Sequence, residues 1–110
     1  MKKLIYILTL FILSACGNIT QKSEKPILTV TLEPLRYFTE AIAGDNYEVV
    51  SMVPKGSSPE SYDPTPQQLV NLSKSQAYFR IGYIGFEQAW MKKLEANCPN
   101  MKVFDTSKGI

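Results

Sequence analysis

The alternation of strand-like and helix-like segments from Pro26 onward constrains the fold of this chain most strongly. The runs "ILTVTL", "YEVVSMV", "QAYFRIG" and "MKVFDTS" are rich in β-branched and aromatic residues and predict strands at 27–32, 47–53, 76–82 and 101–107. The connections between them are too long for hairpins. Strands joined by crossover helices lie parallel, with right-handed connections. The sequence therefore predicts an α/β fold with a parallel sheet and the order β-α-β-α-β-α-β.

The three helical segments carry signals for their ends and for their buried faces. In the first, Leu35, Phe38 and Ile42 share one face and Gly44 marks the C-terminal stop. In the third, which runs to Asn97, one face carries apolar side chains. Its predicted buried residues are Phe86, Ala89, Trp90 and Leu94. Both helices are thus expected to pack on the sheet through a single stripe.

The second helical segment, "TPQQLVNLSKS", has the clearest start signal. Thr65 is the expected N-cap, Pro66 occupies the first helical position, and Gln68 completes a capping box. Leu69 and Leu72 supply its buried stripe.

The first sixteen residues are typical of a targeting segment rather than of a folded domain. Lys2 and Lys3 precede an apolar run at 4–13, which is shorter than the roughly 20 residues of a membrane-spanning helix. The run ends in "LSAC", which matches a bacterial lipobox with Cys16 as the lipidated residue. An ordinary secretory signal with a stray cysteine is the alternative. The expected organisation is a signal peptide at 1–15, a lipidated tether at 16–25 and an α/β lobe at 26–110.

Composition excludes several functions. Removal of residues 1–15 takes away Lys2 and Lys3 and leaves ten basic against ten acidic side chains, without a basic cluster that would suggest nucleic acid. Cys98 is the only cysteine besides Cys16, so no intrachain disulfide is expected. The chain has no histidine and no motif of a nucleophile elbow, a phosphate-binding loop or a zinc protease. A non-enzyme is predicted.

The predicted topology indicates where a ligand would bind. In open parallel sheets the binding crevice lies beyond the carboxyl ends of the strands. The residues that follow those ends are Glu33, the loop at 55–63 and the segment 82–85, which includes Tyr83.

These features together resemble the substrate-binding lipoproteins of bacterial ABC importers for zinc and manganese. The resemblance rests on the lipobox, on "ILTVTLEPLRYFTEAIAGD", on "VPKGSSPESYDPTPQQLVNLSKSQAYFRIG", and on "GFEQAWMKKL" followed by "VFDTSKGI". It implies a partial first lobe of a two-lobed fold of the periplasmic-binding-protein type. It also implies a divalent metal, zinc or manganese, held between the lobes.

The chain departs from that family at one position. Glu60 stands where the family has a histidine ligand, which implies that Glu60 is a metal ligand in a site that this chain leaves incomplete. A carboxylate binds zinc or manganese and favours harder ions than imidazole does. Gly56 allows the backbone to turn as it leaves the second strand. The three prolines at 59, 64 and 66 each fix one φ angle, which stiffens the loop around Glu60. Tyr62 is expected to pack beneath the loop and Asp63 to lie near the next helix N-terminus.

Each candidate residue also has a plain alternative. Glu60 can be a solvated loop glutamate. Glu33 is either a cleft-lining residue or a negative charge that stabilises the N-terminus of the first helix. Tyr83 either lines the cleft or caps the third strand.

Three functions from different classes follow. The first is a lipid-anchored receptor that passes a divalent metal to an ABC permease and its ATPase. The second is a lipid-anchored structural or adhesive module without metal binding. The third is an enzyme whose catalytic residues lie in a missing second half. The first is preferred, with the protein in the cell envelope, on a periplasmic membrane face or on the outer face of the cytoplasmic membrane.

Overall fold

The computed structural model describes residues 24–110. The predicted signal peptide, Cys16 and the tether up to residue 23 lie outside them. The elements in chain order are β1 (Ile27–Val30), α1 (Glu33–Ala43), a 3₁₀ turn (Gly44–Asn46), β2 (Glu48–Ser51), α2 (Pro66–Leu72), β3 (Ser75–Arg80), α3 (Gly85–Asn97) and β4 (Lys102–Asp105). Among these described residues, no helix is long and apolar enough to cross a membrane.

The four strands form one parallel sheet in the order β2-β1-β3-β4. This confirms the α/β class and the predicted β-α-β-α-β-α-β order. The strands are shorter than their apolar runs. Pairing nevertheless continues past the end of β1, because the Met52 and Val53 N–H groups donate to the carbonyls of Val30 and Thr31 at 2.9 and 3.0 Å.

The handedness of the crossovers distributes the helices over both faces. The connection from β1 to β2 runs across the sheet in the direction opposite to those from β2 to β3 and from β3 to β4. Right-handed crossovers therefore place α1 on one face and α2 and α3 on the other.

The core lies between the sheet and the α2/α3 face. Tyr78 of β3 and Leu94 of α3 are both 0% exposed at its centre. The other buried residues of this cluster are Met52, Val53, Leu72, Phe86, Met91, Cys98 and Met101.

The predicted buried stripe of α1 is wrong at two residues, and that of α3 is confirmed only in part. Phe38 and Ile42 of α1 are 61% and 89% exposed, because within residues 24–110 no element covers that flank of the helix. In α3, Phe86 and Leu94 are buried as predicted, but Ala89 is exposed. Glu87 and Met91 are buried as well. Gly44, with a φ of 62°, ends α1 as predicted.

The face of the sheet that carries α1 is only partly covered. Tyr78 and Val103 pack into the core, so their neighbours Phe79 and Phe104 point to the opposite face. There the two rings stack with their centroids 5.4 Å apart, and Phe104 remains 48% exposed. Helix α1 contacts β1 and β2, which leaves this half of the face open among the described residues.

Candidate functional site at the carboxyl edge of the sheet

The loop from β2 to α2 lies at the carboxyl edge of the sheet and is built from tight turns. The Ser57 N–H donates to the Pro54 carbonyl at 3.1 Å, and the Ser61 N–H donates to the Ser58 carbonyl at 3.3 Å. Gly56 has a φ of 88°, in the left-handed region that favours glycine. Gly56 turns the backbone after the second strand, as the sequence predicted.

Glu60 is exposed in this loop, and it reaches the start of α3. Its Oε2 accepts a hydrogen bond from the Gly85 N–H at 3.0 Å. The preceding carbonyl, of Pro59, accepts from the Phe86 N–H at 2.9 Å. The loop after β2 is therefore joined to the helix after β3, on the side of the sheet where the crevice was expected.

Tyr62 supports the loop from below, as the sequence suggested. Its ring packs against Phe86 with centroids 6.1 Å apart, and its hydroxyl donates to Oε1 of Gln68 at 2.8 Å. Asp63 has a different partner from the expected helix N-terminus: its Oδ1 accepts from Nε1 of Trp90 at 3.1 Å. Both residues thus tie the loop to neighbouring helices.

The other two candidates lie at the same edge without joining Glu60 in a cluster. Glu33 is the first residue of α1, and its Oε2 lies 2.8 Å from Nη2 of Arg36. This hydrogen-bonded pair raises the pKa of Arg36. Tyr83 is 89% exposed in the turn between β3 and α3. Glu33 thus has the geometry of a helix N-terminal charge, and Tyr83 faces solvent.

Glu87 is a buried carboxylate that sequence reasoning missed. It is 1% exposed and accepts hydrogen bonds from the backbone N–H groups of Ile81 and Gly82, the latter to Oε2 at 3.0 Å. The Thr31 hydroxyl also donates to its Oε1 at 3.2 Å. One signal existed in the sequence: Glu87 shares the i, i+4, i+7 stripe of Met91 and Leu94. Glu87 therefore fixes the turn that leads from β3 into α3.

The polar cluster around Glu87 continues into the core. Tyr78 Oη lies 2.8 Å from the Thr31 hydroxyl oxygen. Nε of Arg80 lies 4.0 Å from Oε1 of Glu87 and is buried without a hydrogen-bond partner in residues 24–110. Burial and the nearby Glu87 charge raise the pKa of Tyr78, against the opposing effect of the Thr31 hydrogen bond. This cluster is a structural support beneath the edge.

The donor set for a metal is small in the part of the chain that the structure describes. No three His, Cys, Asp or Glu side chains come together there in a way that could hold a metal ion. Glu60 fits a divalent cation as one oxygen ligand, because carboxylates bind both zinc and manganese. Zinc sites commonly use four ligands, so the described residues alone do not form a complete zinc site.

Comparison with known proteins places the chain in a family. The family model described as zinc-uptake complex component A periplasmic, ZnuA, matches residues 28–110. The chain belongs to the ZnuA family. A crystal structure of a zinc-bound ZnuA deletion mutant is 45% identical, with a TM-score of 0.73, and the match covers 79% of this chain and 33% of that one.

Similarity to two streptococcal lipoproteins supports the assignment to the ZnuA family. The iron ABC transporter substrate-binding lipoprotein MtsA of Streptococcus pyogenes is 37% identical over 112 residues, covering 94% of this chain and 36% of MtsA. The manganese ABC transporter substrate-binding lipoprotein PsaA of Streptococcus pneumoniae is 34% identical over 124 residues, covering 100% and 40%. The chain thus spans little more than a third of the length of these relatives.

Proposed function

We propose that this chain contributes part of the first lobe of the substrate-binding component of an ABC importer for a divalent metal. The observation that carries the proposal is the position of Glu60 on a stiff loop at the carboxyl edge of a ZnuA-family sheet. Among residues 24–110, Oε1 of Glu60 accepts no hydrogen bond and so is available to a cation. Capture of the cation needs no bond-making chemistry from this lobe, which fits a receptor rather than an enzyme.

The relatives support a proposal for the metal, the partners and the location. Names of the similar proteins include zinc, manganese and iron, and a carboxylate at position 60 favours the harder ions, manganese above zinc. The partners proposed are an integral ABC permease and its ATPase. Lipidation of Cys16 would hold the protein in the cell envelope, because two or more acyl chains anchor a protein stably.

Titration calorimetry of the full chain with Mn²⁺ and with Zn²⁺ tests the role of Glu60. We expect weak binding, because one carboxylate provides a quarter of a four-ligand zinc site. Glu60→Ala should abolish it, and Glu60→His should shift the preference toward zinc. Glu95→Ala is the matched control, since Glu95 is an exposed glutamate on α3.

Two results would contradict the proposal. One is a tight one-to-one site that survives Glu60→Ala, which would place the ligands elsewhere. The other is equal binding by the Glu60→Ala and Glu95→Ala variants, which would favour the structural or adhesive module.

A further inference from the structure

Helix α3 begins without a side-chain cap of its own. Ile84 occupies the N-cap position and makes no capping hydrogen bond. The first four N–H groups of an α-helix lack intrahelical acceptors, which a Ser, Thr, Asp or Asn N-cap often supplies in part. Here two of the four groups, from Gly85 and Phe86, donate instead to the Glu60 carboxylate and the Pro59 carbonyl. The cap of α3 therefore comes from the loop after β2.

Gly85 permits this contact because it has no side chain. A Cβ at position 85 would lie 2.6 Å from Oε2 and 2.9 Å from Cα of Glu60, and closer still to the Glu60 carbonyl oxygen. Carbon atoms do not approach so closely, and the backbone of the loop would have to move. The φ of Gly85 is outside the positive range found at Gly44 and Gly56, so the requirement for glycine is steric.

We propose that the N-terminus of α3 positions Glu60 for the cation, with Gly85 as the positioning residue. This inference rests on the proposed function of Glu60 as a metal ligand. The Gly85 N–H fixes Oε2, and Oε1 is left as the oxygen that faces the cation. The positive end of the helix dipole attracts a negatively charged side chain at this place. A hydrogen bond to the second atom of a metal ligand is the usual way in which proteins orient that ligand.

The first arm of the test measures thermal unfolding of the full chain without metal. Glu60→Ala removes the cap and should lower Tm by roughly 4–8 °C, the shift expected when an N-cap is lost from a domain of this size. Glu60→Gln keeps an acceptor oxygen and should lose less. Glu95→Ala, on the same helix, should leave Tm unchanged.

The second arm uses Mn²⁺ alone as a paramagnetic probe in amide NMR spectra. Small amounts of Mn²⁺ should broaden the Gly85 and Phe86 amide signals of the native chain first, because these amides lie beside the Glu60 carboxylate. The broadening should disappear in Glu60→Ala. It should weaken in Gly85→Ala, in which the carboxylate is present but displaced.

The two arms distinguish failure of this inference, that the start of α3 positions Glu60, from failure of the proposed function. A Tm loss in Glu60→Ala together with the expected broadening supports the inference. If Glu60→Ala has the same Tm as Glu95→Ala, the inference is overturned. Broadening at Gly85 in the native chain would still support metal binding by Glu60, so the proposed function would survive this result. A Tm loss without broadening near Gly85 also overturns the inference, since Glu60 would then be a cap and no ligand, and this result counts against the proposed function as well.

Discussion

Tyr78 shows how a single buried residue makes the stability of this lobe depend on pH. Its side chain is 0% exposed, and burial together with the Glu87 charge raises its pKa. An unfolded tyrosine ionises near pH 10. A raised pKa means that the folded state binds the phenolic proton more tightly than the unfolded state does. The stabilisation is therefore complete below about pH 10 and is lost as the pH rises above that value.

We predict that replacing Tyr78 with Phe flattens the alkaline loss of stability. Urea unfolding at about pH 9 and about pH 11, on either side of the unfolded tyrosine pKa, measures the change for each protein. The native chain should lose more free energy of unfolding between the two values than Tyr78→Phe does. Both proteins carry the same lysines, so the comparison isolates the effect of Tyr78. An equal loss in the two proteins would show that Tyr78 ionises freely in the folded state.

At the scale of residues, some features of the candidate site could be predicted from the sequence and others could not. Glu60 stood out because three prolines and a strand end surround it within one short segment. Its partner, Gly85, is 25 residues away, and no local pattern connects the two. Glu87 was hidden because charged residues on helices usually face water. Its burial depends on backbone N–H groups that only the folded turn between β3 and α3 brings together.

Helix α2 shows how local signals fix a short element. It has seven residues, too few for a stable isolated helix, so its ends and contacts decide whether it forms. The predicted capping box is present: the Gln68 N–H donates to Oγ1 of Thr65 at 3.2 Å, and the Thr65 N–H donates to Oε1 of Gln68 at 2.9 Å. Nε2 of Gln68 also donates to the Met52 carbonyl at 2.8 Å. The cap thus joins the helix to the end of β2.

We predict that Thr65→Ala lowers the free energy of unfolding by about 1 kcal/mol, the usual cost of a lost N-cap. Thr65→Ser keeps the hydroxyl and should lie close to the native chain. Urea unfolding measures both. Equal destabilisation by Ala and Ser would mean that the methyl group of Thr65, rather than its hydrogen bond, matters.

At the scale of elements, start and stop signals were more informative than apolar stripes. The capping box of α2 and the stop at Gly44 depend only on residues close together in the chain, and both predictions are confirmed. The stripes of α1 and α3 depend on which neighbours cover them. Helix α1 lacks a neighbour on one flank within residues 24–110, so Phe38 and Ile42 are exposed. Helix α3 buries Phe86 and Leu94 as predicted, but it also turns Glu87 inward.

At the scale of the whole molecule, the half of the sheet that residues 24–110 leave open is an unusual surface. Parallel sheets are almost always covered on both faces. Here Phe104 on the sheet and Phe38 and Ile42 on α1 are exposed on the face that α1 leaves half covered. Apolar surface of this kind favours association.

We predict that the chain self-associates as its concentration rises and that Phe104→Ser weakens this association. Sedimentation velocity over a range of concentrations measures it. Tyr83→Ser is the matched control, because Tyr83 is 89% exposed at the carboxyl edge and away from the open face. Equal effects of the two substitutions would mean that general surface hydrophobicity is responsible.

The contact between the loop and α3 also has a consequence for the order in which the molecule opens. The amide hydrogens of Gly85 and Phe86 point at acceptors from a segment about 25 residues earlier in the chain. They can exchange with solvent hydrogen once the loop lifts, even while the rest of α3 stays intact. Local openings of this kind cost less free energy than global unfolding does. The exchange rates of these two amides therefore report the motion of the loop separately from the unfolding of the lobe.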